Sequence, residues 1–478
     1  MTTVSYETRH LINGEWINDA AKTIPVINPS TGETLADVGV ASSDTVAHAV
    51  TAAHAAFHQW RHTTPKERSE ILLALADLVD DNADEFARIE SLNVGKPLAN
   101  AREEIPVCSD VLRYFAGALR ALPGHDSTEY IRERTSTVRR EPIGVVGLIT
   151  PWNYPLLEAC WKIGPSLAAG NTLIIKPSEV TPLSTIRFAD LAREHLPAGV
   201  LNVILGAGET GSALIEDSRV KLVSLTGDVG TGKKVAATAA GSLTRVHLEL
   251  GGKAPVLVCD DVDVKQTART LAASGFVNSG QDCTAPCRII VHRNVYDEFV
   301  QAYLERAAVT TIGAPLDESV ELGPVVSARQ YERVRGFIDR ARDARADVRV
   351  LGEVPRSGFY IAPTVVLDPA QDSEVVQNEV FGPVVTIQRA DDDAHMVAMA
   401  NDTRYGLASS IWTTDLKKSI RATRELEFGT VWVNEHFPTP SEMPFGGFGD
   451  SGYGKELSTH AIDGYSRFKH VMINTSDD

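Results

Sequence analysis

At 478 residues the chain exceeds one ordinary hydrophobic core, so two or three domains are expected. Hydrophobic residues make up 43% and charged residues 23%, a globular balance, and no apolar run approaches the ~20 residues of a membrane span. The net charge of −17 is spread along the chain; such a surface repels nucleic acid and anionic membrane, and its main consequence is solubility.

The opening Met-Thr-Thr-Val-Ser-Tyr-Glu lacks a basic region leading into an apolar core, so a cytoplasmic location is expected. Five cysteines (Cys108, Cys160, Cys259, Cys283, Cys287) are an odd number without the density of a disulfide scaffold, which points to reduced thiols. Cys283 and Cys287 could be two ligands of a metal, but no His or second Cys pair stands nearby, so no metal is expected.

In chain order, residues 10–17 alternate around Asn13-Gly14, a two-residue hairpin signal. Residues 45–60 have helical apolar spacing, and Pro65 opens a second helix with Leu72, Leu73, Leu75 and Ala76 behind it. Residues 103–118 read as a helix with Pro106 tolerable only near its start and a solvated acidic face of Glu103, Glu104 and Asp110. The stretch 135–140 has no strong apolar face and reads as an exposed strand able to pair with another subunit.

From Gly144 the texture changes. Short apolar runs at 145–149, 172–175, 201–205, 222–225 and 255–258 alternate with helical stretches, the rhythm of a doubly wound parallel sheet. Ligands of such sheets sit at the carboxyl ends of the strands. The runs are followed there by Thr150-Pro151-Trp152-Asn153-Tyr154-Pro155, by Lys176-Pro177-Ser178-Glu179, by Gly206 to Gly211 and by Thr226 to Lys233, which together read as a nucleotide crevice. Two patterns in it mislead. Gly206 to Gly211 matches GxGxxG without an acidic residue ending a following strand about 20 positions on, where a ribose would be bound, and Gly227 to Lys233 matches most of a P-loop but has Lys234 where Mg²⁺ needs Ser or Thr, which leaves phosphoryl transfer a distant alternative.

The second half repeats the α/β pattern, with helices near 295–308 and 328–342, a turn at 378–383 entering a strand at 384–387, a Gly-rich loop at 445–449 and a final alternating run at 468–473 that reads as an edge strand. Cys283 lies between a turn-forming run at 278–280 and a β-branched run at 289–291, where a loop can present a thiol nucleophile.

Phe276-x-Asn278-x-Gly280-Gln281-x-Cys283, Leu248-Glu249-Leu250-Gly251-Gly252-Lys253, Pro151 to Pro155, Lys176 to Glu179 and Glu379 to Pro383 together resemble the aldehyde dehydrogenase superfamily over nearly the whole chain. The resemblance implies an α/β fold with a Rossmann-type doubly wound cofactor domain (1–123 and 143–251), an α/β catalytic domain (252–451), and a small β oligomerisation arm with the C-terminal tail (124–142 and 452–478). It implies Cys283 as the nucleophile, the Asn153 amide and the Cys283 N–H as oxyanion donors, and Glu249 as the base that activates water. A free thiol near pKa ~8.5 would need a helix terminus, a base or a cation to raise its thiolate fraction. Glu249 also argues against the acylating branch, in which coenzyme A takes the acyl group.

For the cofactor, the resemblance implies NAD, with Lys176 and Glu179 at the adenosine ribose, where a carboxylate would repel a 2′-phosphate. Thr150, Pro151, Trp152, Ser178, Gly208, Thr226, Gly227, Gly232, Leu250 and Gly251 would line the crevice, and Glu379 and Phe381 would hold the nicotinamide ribose and ring. Asp228 departs from the family's usual Ser; it either caps the following helix, the preferred reading, or binds a cation.

The finer resemblance is to 4-aminobutyraldehyde dehydrogenases, carried by Ser224 to Gly227, Gly280 to Ala285 and Ser441 to Pro444. Tyr154 and Trp161 would box the substrate while Asp110 or Glu442 attracts its ammonium, with Asp282 a further substrate-side carboxylate adjoining the nucleophile. Betaine aldehyde or a semialdehyde is the alternative substrate, and an NAD-binding protein without catalysis the alternative class. The family architecture implies a homodimer or homotetramer.

Overall fold

The computed structural model describes residues 6–19, 22–124 and 127–476. Positions 1–5 of the segment read for a leader, 125–126 of the expected arm and 477–478 of the tail lie outside the described residues. Asn13 and Gly14 take φ of 54° and 80°, the two positive angles a tight turn between His10–Ile12 and Glu15–Ile17 requires.

Two sheets organise the chain. The first has eight strands in the order Glu15–Ile17, His10–Ile12, Leu201–Val203, Thr172–Lys176, Val145–Ile149, Val220–Gly227, Arg245–Leu250, Gly452–Tyr453. The five from Leu201–Val203 to Arg245–Leu250 are parallel, and Val145–Ile149 and Thr172–Lys176 are buried at every position, as apolar runs covered on both faces must be. The chain steps outward from Val145–Ile149 to Leu201–Val203, then returns to Val220–Gly227 on the other side. The order therefore reverses between Val145–Ile149 and Val220–Gly227, and the crevice such a reversal opens lies at their carboxyl ends.

The second sheet has seven strands, Asp347–Val350, Thr364–Leu367, Val384–Ala390, Arg288–His292, Pro255–Val258, Ala408–Trp412 and Thr430–Val433, parallel except for the first. The run 255–258, expected to continue the first sheet's rhythm, belongs here. Residues 251–254 carry the chain across, so periodicity alone could not tell one sheet from two. A third sheet pairs Ser466–Asn474 with Arg134–Pro142 through nine residue pairs and adds Thr128–Ile131. The stretch 452–465 packs on the first unit, through Gly452–Tyr453 on Arg245–Leu250 and helix Ser458–Gly464 on helix Pro155–Ala169.

Helix Ser43–Trp60 is capped by Ser42, and helix Pro65–Asp81 by a reciprocal box of Thr64 and Glu67. The acidic helix differs from its expected form. It runs Leu98–Ala121 with Pro106 well inside, because Leu98, Ala101 and Ile105 bury its first turns. Nor is its acidic face uniformly solvated: Glu104 is buried and, with Glu90, grips the buried Lys96. Taking one partner from a buried ion cluster leaves uncompensated charge. Lys96→Met should lower stability by on the order of 3 kcal/mol, seen as a lower urea midpoint by tryptophan fluorescence; an unchanged midpoint would mean Glu90 and Glu104 take up protons at little cost.

Candidate active site

Cys283 sits on a loop whose shape is set by three consecutive left-handed residues, Asn278, Ser279 and Gly280, with φ of 47°, 57° and 67°. Two of these carry side chains, so the conformation persists only because neighbours over-determine it. Asn278 Nδ2 donates to the Asn153 carbonyl at 3.1 Å and to the Gln281 carbonyl at 3.2 Å, and Ser279 Oγ donates to the Gly323 carbonyl at 2.8 Å. Gln281 spans the loop, donating to the Asn278 carbonyl and accepting the Val326 N–H. Asn153 Nδ2 donates to the Gln281 carbonyl at 3.1 Å, which leaves its second N–H for a ligand. The amide of Asn153 and the thiol of Cys283 are thus locked into one loop-to-loop contact.

Glu249, near the end of strand Arg245–Leu250, is 1% exposed, and neither carboxyl oxygen has a hydrogen-bond partner within the protein. Burial pushes its pKa well above the ordinary value, and Glu158 adds to this. Such a carboxyl can hold a proton at rest and give up or take one near neutrality. Cys283 is half-buried, and burial followed by the charges of Glu249, Asp282, Glu158 and Glu379 pushes its thiol well above the usual range. Of the helix terminus, base or cation expected beside the thiol, the charges acting on it most strongly are all carboxylates, Glu249 first.

At the crevice, Lys176 Nζ donates to the Gly206 carbonyl at 2.9 Å, with the partly exposed Glu179 3.8 Å away. Thr150 Oγ1 is buried without a partner, and Ser178 Oγ accepts the Val180 N–H. Trp152 stands edge-on to Phe381 at 5.1 Å; Phe381 itself has φ of 60°, held by Gln330 donating to its carbonyl at 2.6 Å. Glu379 accepts the Gly252 N–H at 2.9 Å, and a Cβ on Gly251 would overlap its carboxyl. Burial raises the Glu379 carboxyl to about 7. Gly208 opens helix Gly208–Glu216, and Gly227 ends its strand where Asp228 caps helix Val229–Ala240, accepting the Thr231 N–H at 3.0 Å. Gly232 lets that helix lie against Leu250, since a Cβ would meet the leucine at 2.6 Å. The Thr226 hydroxyl donates to Glu158, and Lys233 of the P-loop-like run pairs with Asp450.

Open space beside Gly208, the unpartnered Thr150 hydroxyl, the helix start after Gly227 and the half-exposed Glu179 fit a dinucleotide with vicinal ribose hydroxyls. The capping carboxylate of Asp228 is the one feature that opposes a diphosphate there.

The substrate-side residues divide into two groups. Tyr154 donates its hydroxyl to Asp282 at 2.7 Å and carries Lys96 over its ring at 4.3 Å, while Asp282 also accepts the Thr284 N–H and hydroxyl. One ring face and the carboxylate are therefore already engaged. Trp161 is 5% exposed and packs edge-on against Phe445, so it is a wall of the core more than an open aromatic face. Asp110 and Glu442 are exposed at a common rim, where Ser441 donates to Asp110 at 2.7 Å and Glu442 helps raise the Tyr114 phenol, whose main shift comes from burial.

The sequence reading passed over Glu158, Lys162 and Glu456. The signal was present: Glu158 and Lys162 stand four apart in a helix, Pro155–Ala169, that is otherwise apolar almost throughout. Charges in a helix buried on every side require partners from elsewhere.

The chain matches the family model described as the aldehyde dehydrogenase family over residues 16–471. It is 42% identical to a phenylacetaldehyde dehydrogenase of Pseudomonas fluorescens, covering 97% of this chain and 95% of that protein, and 37% identical to a betaine aldehyde dehydrogenase of Bacillus subtilis, covering 97% of each. A betaine aldehyde dehydrogenase of Staphylococcus aureus, solved in complex with NAD+, superposes with a TM-score of 0.95 at 35% identity, covering 99% and 96% of the two chains.

The field around the sulfur can be read directly. Iodoacetamide should alkylate Cys283 with an inflection above the ~8.5 of an ordinary thiol, and Glu249→Gln should move it lower. Peptide mass spectrometry across a pH series measures both; an inflection below 8 would remove the carboxylate-dominated site.

Proposed function

The chain belongs to the aldehyde dehydrogenase family, and from that premise we propose that it oxidises an aldehyde to a carboxylic acid, with NAD as hydride acceptor, through a thiohemiacetal and a thioester on Cys283. The observation that carries this reading is Glu249, a buried carboxyl with both oxygens unpartnered, which is also the foremost charge acting on the Cys283 thiol. Such a group is maintained where a proton has to move.

Cys283 loses its proton to solvent water as Sγ bonds the carbonyl carbon. The carbonyl π pair passes to oxygen, which the free Asn153 amide proton and the Cys283 N–H stabilise, each donor contributing on the order of 3 kcal/mol. Thr150, Lys176, Ser178, Glu179, Glu379 and Phe381 would hold NAD, which when bound supplies the two-electron acceptor. Glu249 then takes a proton from water as its oxygen attacks the thioester, and the sulfur leaves as product acid forms. The support for NAD over NADP is Glu179, whose carboxylate accepts from ribose hydroxyls and repels a 2′-phosphate.

For the substrate we infer an ω-aminoaldehyde such as 4-aminobutyraldehyde. Asp110 and Glu442 supply an anionic rim, and a primary ammonium has the N–H donors that carboxylates bind. Betaine aldehyde is the second reading, supported by the Bacillus subtilis and Staphylococcus aureus relatives; its quaternary ammonium has no N–H and would depend on aromatic faces. We assign the sheet of Ser466–Asn474, Arg134–Pro142 and Thr128–Ile131 to contact between copies, in a dimer or tetramer, because its edge strand is exposed nearly throughout.

Cys283→Ser should abolish NADH formation. Glu249→Gln should lower steady-state turnover by about 10²-fold or more yet keep a burst of one NADH per site, since acylation precedes the water step; full turnover in either variant would end the thioester reading. In kcat/KM, 4-aminobutyraldehyde should exceed butyraldehyde, and Glu442→Gln should raise KM for the amine alone by about fivefold, the loss of one exposed ion pair. Equal effects on both aldehydes would place Glu442 outside recognition. Asp228→Asn keeps the cap and removes the charge, so KM for NAD should fall about threefold; an unchanged KM would mean the carboxylate does not face the diphosphate.

A further inference from the structure

Helix Pro155–Ala169 delivers a second carboxyl to the region of Glu249. Glu158 is 5% exposed, and its Oε2 accepts the Thr226 hydroxyl at 3.0 Å. Thr226 is registered directly beside Glu249 on the neighbouring parallel strand, so the two side chains leave the same face of the sheet. Lys162, one turn along the helix, has Nζ 3.9 Å from the same Oε2 and pairs with Glu456, which arrives from the C-terminal stretch. Two buried carboxyls, Glu158 and Glu456, therefore stand within ion-pair distance of one buried ammonium, and the charge of Glu249 acts on it as well.

The remaining titratable groups facing this cluster are His247 from the Glu249 strand, 3.9 Å from Glu456, Tyr465 and Lys455 from the C-terminal stretch, Asp282 and Cys283 from the nucleophile loop, and Glu379 from the crevice. Burial holds His247 neutral, at about 4, so it adds no cation near neutral pH. Lys162 with Glu456 is the close ion pair, and Glu158 and Glu249 are left to share what compensation remains.

We propose that Glu158 is a positioning residue for the hydrolytic step: its carboxyl, tied through Thr226 to the strand beside that of Glu249 and paired with Lys162, sets the pH at which Glu249 accepts a proton from water. The proposal rests on Glu249 being the base. Burial raises Glu158 to about 7, and after burial itself Glu158 is the first charge that raises Glu249. The two carboxyls then release their protons in steps that belong to the pair.

Glu158→Gln removes the charge and keeps an oxygen for the Thr226 hydroxyl. In the full-length protein with NAD and aldehyde, the acid limb of kcat should move to lower pH by roughly one unit, since a neighbouring negative charge no longer opposes ionisation of Glu249. KM for aldehyde should stay within about twofold. A second readout needs neither cofactor nor substrate: half-maximal alkylation of Cys283 should also shift to lower pH, because Glu158 acts on that thiol as well. Should the Gln variant fail to fold, Glu158→Met offers an uncharged side chain of similar shape for both measurements. An acid limb and an alkylation profile both unmoved in a variant of unchanged melting temperature overturn the proposal while leaving the base intact. If Glu249→Gln retains full turnover, the base assignment falls and this proposal with it.

Discussion

A helix buried on every side has no solvent to neutralise what it carries, and Pro155–Ala169 carries both a carboxyl and an ammonium. Lys162 must be answered by Glu456 from the far end of the chain, Glu158 by Thr226 from the adjacent strand, and the helix start by Glu90, which accepts the Leu156 N–H, while Asn153 just before the helix binds the nucleophile loop through its amide and carbonyl. The first sheet, the loop before the second sheet and the C-terminal stretch are thus fixed to one helix by the cost of leaving its polar groups unpaired. Without that helix neither Asn153, the proposed oxyanion donor, nor the buried carboxyl of Glu158 would have a fixed place.

The electrostatics that follow are unusual for a thiol nucleophile. A thiolate is ordinarily favoured by cations or a helix N-terminus, yet Cys283 faces Glu249, Asp282, Glu158 and Glu379. This environment keeps the sulfur protonated at rest and couples its ionisation to the protonation of its neighbours. A resting thiol resists alkylation and oxidation, and a carboxyl of raised pKa is matched to move a proton near neutrality. The strained turn at Asn278, Ser279 and Gly280 serves the same end by geometry, since it holds the sulfur in position before a substrate arrives.

The substrate side is built with less redundancy. Tyr154 and Asp282 satisfy each other, and Trp161 is committed to Phe445, so in the proposed reading discrimination falls to the rim where Asp110, Ser441, Glu442 and Tyr114 meet. Exposed carboxylates discriminate weakly because water screens them.

The sequence by itself determined what depends on neighbours along the chain. The Asn13-Gly14 turn, the Thr64 box, the parallel strands from Val145 to Leu250 and the family signature around Cys283 are local patterns, since propensity, capping and alternation act over a few residues. Tertiary structure alone decided the rest. It placed Pro106 within a longer helix, turned Glu104 inward to Lys96, gave the Thr226 hydroxyl to Glu158, and surrounded Cys283 with carboxylates. Burial and charge coupling depend on distances in space between residues as far apart as Glu158 and Glu456, and no local pattern carries that information.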